Sequence, residues 1–380
     1  MVLLSLYRSL GGLLALFIFA EGSGVAFFNP IFIGDSQYKA VSKLDYFIAS
    51  DPISLYGMFH DWDGDYHPKS GMNVALQDMR LDLGVKVDPY YYVGYFYRYN
   101  VYIDAGKDFT DFFYLIKNHQ NLDPERTYRL DLDIEGIEQS GVVLSLAYSL
   151  VDQVDMSLKF GIALSLSKGI DMQDGIIRGE AMIPNQKSYY ASGDISSYYT
   201  HNYLYDLDVD PATGYGYGTD FALAYTNKEH HFDIALIIND LLSRVYWHDL
   251  PYSMVTIETD NRSYDEEEYV HYDPSISGRE STQSFVQKIS PRYHVEVSHH
   301  YLEDFSWLVG IDYLYSMTMP YVEIEKEFGD HHSFLCSYES RFESFGLKYR
   351  YKNIDFGLRF DTLKEPSVLG ISLSVNFLDF

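Results

Sequence analysis

Residues 79–88 read MRLDLGVKVD, and their alternation decides the fold. Met79, Leu81, Leu83, Val85 and Val87 fall on one face of an extended chain, and Arg80, Asp82, Gly84, Lys86 and Asp88 on the other, because successive strand side chains point to opposite sides. A shift of one residue would exchange the two faces completely, so the register is strongly specified. Asp88-Pro89 then reads as a turn, since proline has no N–H to give to a sheet ladder. The return strand puts Tyr91, Val93, Tyr95, Tyr97, Tyr99, Val101 and Ile103 on one face, with Gly94, Arg98, Asn100 and Asp104 among the residues opposite. An apolar face continuous over two long strands, backed by charges, suits a sheet with lipid on one side and a polar interior on the other.

The same grammar recurs along the chain. Tyr128, Leu130, Leu132 and Ile134 alternate with Arg129, Asp131, Asp133 and Glu135, and Val142–Leu150 leads through a polar turn into Val154–Leu166, whose second face carries Asp155, Ser157, Lys159 and small residues. Further strands are expected over 217–226, 232–238, 252–259, 293–301 and 307–317, and the last third reads as hairpins ending in Leu369, Ile371, Leu373, Val375 and Phe377. Together these predict an all-β, antiparallel transmembrane β-barrel of about 14 strands (range about 12–16). Residues 27–51 lack clean alternation and are expected to form an N-terminal plug or periplasmic segment, with the barrel over 52–380. Asn239–Trp247 reads as a short helix, and 183–211 and 260–279 as long acidic loops.

The start of the chain indicates export. Arg8 is followed by an apolar stretch from Leu10 to Ala20 and then by small residues, the order of a secretory signal. The stretch is well short of the roughly 20 residues a spanning helix needs. Gly24 and Ala26 satisfy the small-residue rule for cleavage after Ala26, so residues 1–26 are expected to be removed. Cys336 is the single cysteine of 380 residues, so no internal disulfide staples the fold. The 37 Tyr and 24 Phe fit a membrane–water interface, where a ring tolerates lipid and a hydroxyl stays hydrated. A net charge of −27 disfavours nucleic acid as a partner, because it repels phosphate.

Candidate chemistry is sparse. The run Asp265–Glu268 and the triplet Asp61, Asp63 and Asp65 lack the spacing of a calcium loop, and the pairs His230-His231, His299-His300 and His331-His332 cannot chelate one ion from a regular strand. Ser298 with His300, and Ser333 with His331, share faces, but no nucleophile motif accompanies them. No metal, cofactor or catalytic residue is assigned, and the chain is expected not to be an enzyme. The better candidates are lumen-lining charges: Arg80, Asp82, Lys86, Arg98, Arg129, Asp131, Asp133, Lys159, Arg292, Glu296, Lys348, Arg350 and Arg359, with Asp312 and Asp355 nearby in pattern. They would tune solute selectivity in an open lumen, or form a supporting ion-pair network in a filled one.

The signal, the Tyr-rich alternating strands and the final GISLSVNFLDF (residues 370–380) resemble bacterial outer-membrane barrel proteins. Within that class, chain length and the N-terminal segment are similar to the long-chain fatty-acid transporter family and its conjugation-associated relatives. The resemblance implies a 14-stranded barrel holding an N-terminal plug, with hydrophobic solutes entering from outside. It implies outer-membrane lipid and the barrel-assembly machinery as partners, the latter reading Leu369, Ile371, Leu373, Val375, Phe377 and Phe380. Phe380 is out of phase with the others, which requires an overhang after Phe377 or a bulge near Leu378. The expected function is an outer-membrane channel or transporter for small, hydrophobic solutes. Its rivals are a barrel with a structural, adhesive or secretion-associated role, and a soluble secreted β-rich binding protein.

Overall fold

The computed structural model describes residues 24–31, 39–88, 90–185, 188–201, 212–259, 262–264, 270–272, 275–302, 304–329 and 331–377. The Asp265–Glu268 run and Phe380 lie outside the described residues. The described residues form one antiparallel sheet of seventeen strands and a separate two-stranded hairpin.

The hairpin predicted from residues 79–88 is the pair β2 (Met72–Lys86) and β3 (Tyr91–Gly106). Leu83, Val85, Val93 and Tyr95 are exposed on its outer face, while Asp78, Arg80, Asp82, Arg98 and Asn100 are buried on its inner face. The alternating hydropathy has therefore done what it should, turning every charge of this hairpin inward. Ahead of it comes β1 (Ala40–Ser50), which pairs with β2 on one side and with the last strand, β19 (Val368–Phe377), on the other. This pairing closes the barrel. It also corrects the expected N-terminal boundary, since residues 40–50 belong to the wall. Their alternation was hard to see because Phe47, Ala49 and Val41 face inward against apolar partners.

After β3 the wall continues through β4 (Tyr128–Asp152), β5 (Met156–Asn185), β7 (Thr213–Asn227) and β8 (Phe232–Asn239). The register then passes from β8 to β13 (Arg292–Leu302). It completes the ring through β14 (Phe305–Leu314), β15 (Met317–Phe328), β16 (His332–Glu339), β17 (Ser344–Tyr351), β18 (Ile354–Phe360) and β19. The expected class holds, but about 14 strands undercounts the sheet. Besides the fourteen of the ring it holds β6 (Ser188–Tyr199), β9 (Arg244–Glu258) and β12 (Ser275–Lys288). β9 continues the line of β8 beyond an interruption at 240–243, and β12 leads into β13 across 289–291. β6 pairs with the upper half of β5 and with β9. These strands raise one side of the wall, and the hairpin of β10 (Arg262–Tyr264) and β11 (Val270–Tyr272) follows β9. The helix expected over 239–247 is absent. Asn239 ends β8, Asp240 takes a positive φ of 60°, and Val245-Tyr246-Trp247 is strand, as β-branched and aromatic residues prefer.

The two ends of the barrel differ. One end has the short connections β2–β3, β4–β5, β7–β8, β13–β14, β15–β16 and β17–β18, and β1 begins and β19 ends there. The other carries the raised wall and two helices, α1 (Leu55–Phe59) and α2 (Lys107–Lys117). Ser54 caps α1 by accepting from the Gly57 N–H at 3.1 Å. Ile53, Leu55 and Met58 pack with Ile48, Ala75, Tyr114 and Leu369, so the helices cover part of the wall's outer face at this loop end.

Large inward rings rest on wall glycines. A Cβ on Gly84 or Gly94 would lie 2.3–2.5 Å from Tyr92, one on Gly310 2.3 Å from Tyr321, and one on Gly169 2.4 Å from Trp247. Trp247 is 1% exposed and donates through Nε1 to Gln287 at 3.1 Å. It anchors an apolar cluster with Ile137, Met172, Leu250 and Ile289 under the raised wall.

Candidate functional site: the lumen and its N-terminal segment

Residues 24–31 cross the lumen and are held mainly by side chains of the surrounding strands. The Ala26 N–H donates to Asp78 Oδ2 at 3.0 Å, and its carbonyl accepts from Arg292 Nη1 at 3.1 Å. The Phe28 N–H donates to Asn239 Oδ1 at 2.9 Å, and Asn239 Nδ2 donates back to the Phe28 carbonyl at 2.8 Å. Ser145 Oγ donates to the Pro30 carbonyl at 3.0 Å. An extended peptide has backbone groups that must be satisfied when buried, and here β2, β4, β8 and β13 supply the partners that a neighbouring strand would.

The same residues form a buried charge lattice. Arg292 donates to both oxygens of Asp78, at 2.9 and 3.1 Å, with side chains 3% and 1% exposed. Arg98 pairs with Asp240 at 2.7 Å and also donates to Asn100, which in turn donates to Asp78. Asp220 Oδ1 accepts the Asp240 N–H at 3.0 Å. Arg80 makes a two-pronged pair with Asp82 at 2.8 and 2.9 Å. Its guanidinium lies between the rings of Phe28 and Phe96, at 5.0 and 5.3 Å, a favourable placement over a ring's negative face. One aromatic of the N-terminal segment thus bears directly on the charge lattice.

On the turn-end side of this segment lies a cavity of about 230 Å³. Phe27, Phe28, Val41, Tyr92, Ile237 and Leu308 give it apolar walls, and Lys43, His294, Glu296, Glu323 and Lys348 a polar one. His294 is held between Asp312, 2.6 Å from Nδ1, and Glu296, 3.2 Å from Nε2, with the Phe27 ring 5.2 Å away. Toward the loop end the lumen is filled by Leu76, Tyr102, Leu314, Met317, Met319, Phe342 and Val368, with Tyr102 stacked on Tyr315 at 4.5 Å.

At the loop-end rim, Asp51 accepts from Arg341 at 2.7 and 2.6 Å and pairs with Lys69 at 2.7 Å. Burial opposes the charged form of Asp51, but Arg341, Lys69 and the Val74 N–H outweigh it and hold the carboxyl below its ordinary range. This latch ties the start of the β1–β2 connection to the turn between β16 and β17.

The structure brings together Arg80, Asp82, Arg98 and Arg292 from the predicted lumen charges, with Glu296 and Lys348 across the cavity. Arg350 forms a separate group with Asp355 and Glu325 at 3.0 and 3.1 Å. Arg359 is 1% exposed and donates to Ser344 and Ser337 at 2.9 and 2.8 Å. Lys86 and Lys159 stand near the turn end. Arg129, Asp131 and Asp133 are not in the lumen proper. They line the raised wall with Arg178, and the Arg129 side chain is 77% exposed, because β4 and β5 rise above the closed ring. Ser298 and His300 both turn to Asp233, at 3.5 and 2.9 Å. The acid lies between hydroxyl and imidazole, which is not a nucleophile–base order.

Asp78, Asn239 and Asp240 escaped the sequence reading although they hold the site. Asp78 shares the even-numbered face of Arg80 and Asp82, a signal that was available. Asn239 and Asp240 were hidden in the supposed helix. His294 stands in phase with Arg292 and Glu296 and was equally legible.

No family model matches this chain, and no curated protein does. Among solved structures, the chain is similar to a deletion mutant of the monoaromatic hydrocarbon channel TodX. The match has 10% identity, a TM-score of 0.50, and covers 94% of this chain and 97% of that one. The chain shares that channel's fold. The Pseudomonas putida toluene transporter TodX (9% identity, TM-score 0.43, 93% of each chain) and a Pseudomonas aeruginosa FadL homologue (10%, 0.35, 94% and 96%) also match. The barrel resemblance expected from the strands is met, at the level of fold, by the first of these matches.

Proposed function

We propose that the protein is an outer-membrane channel for small hydrophobic solutes of about the size of a single aromatic ring. The short turns would face the periplasm, and the raised wall and helices the outside, as in other barrels of this kind. The observation that carries the reading is the cavity behind the N-terminal segment, whose apolar walls meet a few polar groups, the usual make-up of a small-molecule site. An apolar cavity of roughly 150 Å³ already accommodates benzene, so about 230 Å³ suits a substituted ring. The fold shared with a monoaromatic hydrocarbon channel points the same way.

The test is uptake of a labelled monoaromatic into proteoliposomes, comparing the native protein with Ile237→Trp, which fills the cavity from β8. Native uptake above protein-free vesicles, lost in the variant while heat-modifiable gel migration is kept, supports the channel. The lumen filled toward the loop end favours one rival, a barrel that transports nothing. Native vesicles no faster than empty ones would establish that rival instead.

A further inference from the structure

Gly24, Val25 and Ala26 belong to the packing of the lumen. Val25 is 7% and Ala26 2% exposed, and Val25 shares an apolar cluster with Phe27, Phe47 and Leu76. Gly24 has a φ of +95°, and a Cβ there would lie 2.4 Å from the Phe47 ring and 3.1 Å from Arg359 Cδ. That backbone conformation and that lack of room both favour glycine. Both backbone polar groups of Ala26 are taken, by Asp78 and by Arg292. Cleavage after Ala26, which the sequence alone suggested, would discard all of these contacts. It would leave Asp78 and Arg292 each short of a partner and place a new ammonium on Phe27, itself 8% exposed. Cleavage after Gly24 would place that charge on Val25, inside the apolar cluster. A buried unpaired charge is strongly disfavoured.

We infer that the export signal is removed between Gly22 and Ser23, leaving Gly24–Phe28 as a working part of the mature lumen. Ala20 and Gly22 then occupy the third and first positions before the cut, where small side chains are required. The neighbouring bond after Ser23 would put Glu21 at the third position and is excluded. The step is a hydrolysis. Water adds across the Gly22–Ser23 amide, the carboxylate stays on Gly22, the amine on Ser23, and nothing is oxidised or reduced. The enzyme class is the host's signal peptidase acting on the exported chain. The inference rests on the export reading, and the experiment separates the two.

The full chain is expressed in a Gram-negative host, and the outer-membrane protein is sequenced from its N-terminus and weighed intact. A chain beginning at Ser23 is expected. One beginning at Val25 or Phe27 overturns the inference while leaving export in place, and one retaining Met1 overturns both. Two variants sharpen the result, read by pulse labelling on the newly made chain so that later folding does not matter. Gly22→Leu should abolish the chain beginning at Ser23, leaving uncut precursor or a cut displaced to the bond after Ala26. Ala26→Leu should be cut to Ser23 as in the native chain, although leucine would block a cut after position 26. Loss of processing in Ala26→Leu, with normal processing in Gly22→Leu, refutes the assignment.

Discussion

Replacing Asn239 with alanine tests whether the N-terminal segment is clasped or merely enclosed. Its amide accepts from the Phe28 N–H at 2.9 Å and donates to the Phe28 carbonyl at 2.8 Å. Asn239 is 2% and Phe28 5% exposed, so water does not replace either bond while the segment is seated. Each orphaned buried group costs about 1–3 kcal/mol. The lower sum, about 2 kcal/mol, shifts the balance between seated and released segment by roughly 30-fold. The wall should suffer less, because β8 keeps its pairings to β7 and β13. The assay is amide hydrogen exchange of the peptide containing Phe28, in detergent, followed by mass spectrometry. Its exchange should quicken by about the same factor, while peptides from β14 to β18 stay unchanged. Asn353→Ala, which removes a bond to the Asn376 carbonyl at the turn end, serves as control and should leave the segment protected. Unchanged protection around Phe28 in Asn239→Ala, with the barrel intact, would show that packing alone holds the segment.

Other outcomes follow from the rim and the wall. Arg341→Ala should lower thermal stability by about 2 kcal/mol, the range of hydrogen bonds to a charged group. Asp51 has its carboxyl depressed in the fold, so the latch contributes fully above the unfolded value near about 4 and is lost as pH falls through the lower folded value. The gap between variant and native melting temperatures should therefore narrow from pH 7 into strong acid, and a gap independent of pH would discount the latch. Gly169→Ala drives a methyl against Trp247 and should destabilise by about 1–3 kcal/mol, seen as a lower midpoint in urea with altered tryptophan emission. Combining it with Trp247→Phe, which frees space beside residue 169, should recover part of that loss, and a purely additive double variant would rule out the contact.

The fold was legible wherever one face of a strand is apolar and turned outward and the other carries charge. Residues 79–88 and 91–103 show the period directly, and their inner faces became the lattice around Arg80 and Arg98. Legibility failed where both faces are apolar or both are wet. β1 presents Val41, Phe47 and Ala49 inward, so it carried little alternation, and Arg129–Asp133 alternate correctly but lie where the inside is open to water. The site was half legible for a related reason. Parity places a charge in the lumen but not at a height or beside a partner. Asp78 finds Arg292 across 214 positions of chain, a distance no local pattern spans.

The break at 240–243 in the β8–β9 line and the break at 289–291 in the β12–β13 line face each other across one pairing. Below that seam every strand of the ring has two neighbours, and closure needs nothing from above. Above it, β12 runs in register with β9. The rampart over the seam is thus a graft on a hoop that is already complete. Its height can grow by insertion or shrink by deletion without reopening the hoop, so the raised end of such a barrel can diversify while its bore stays the same.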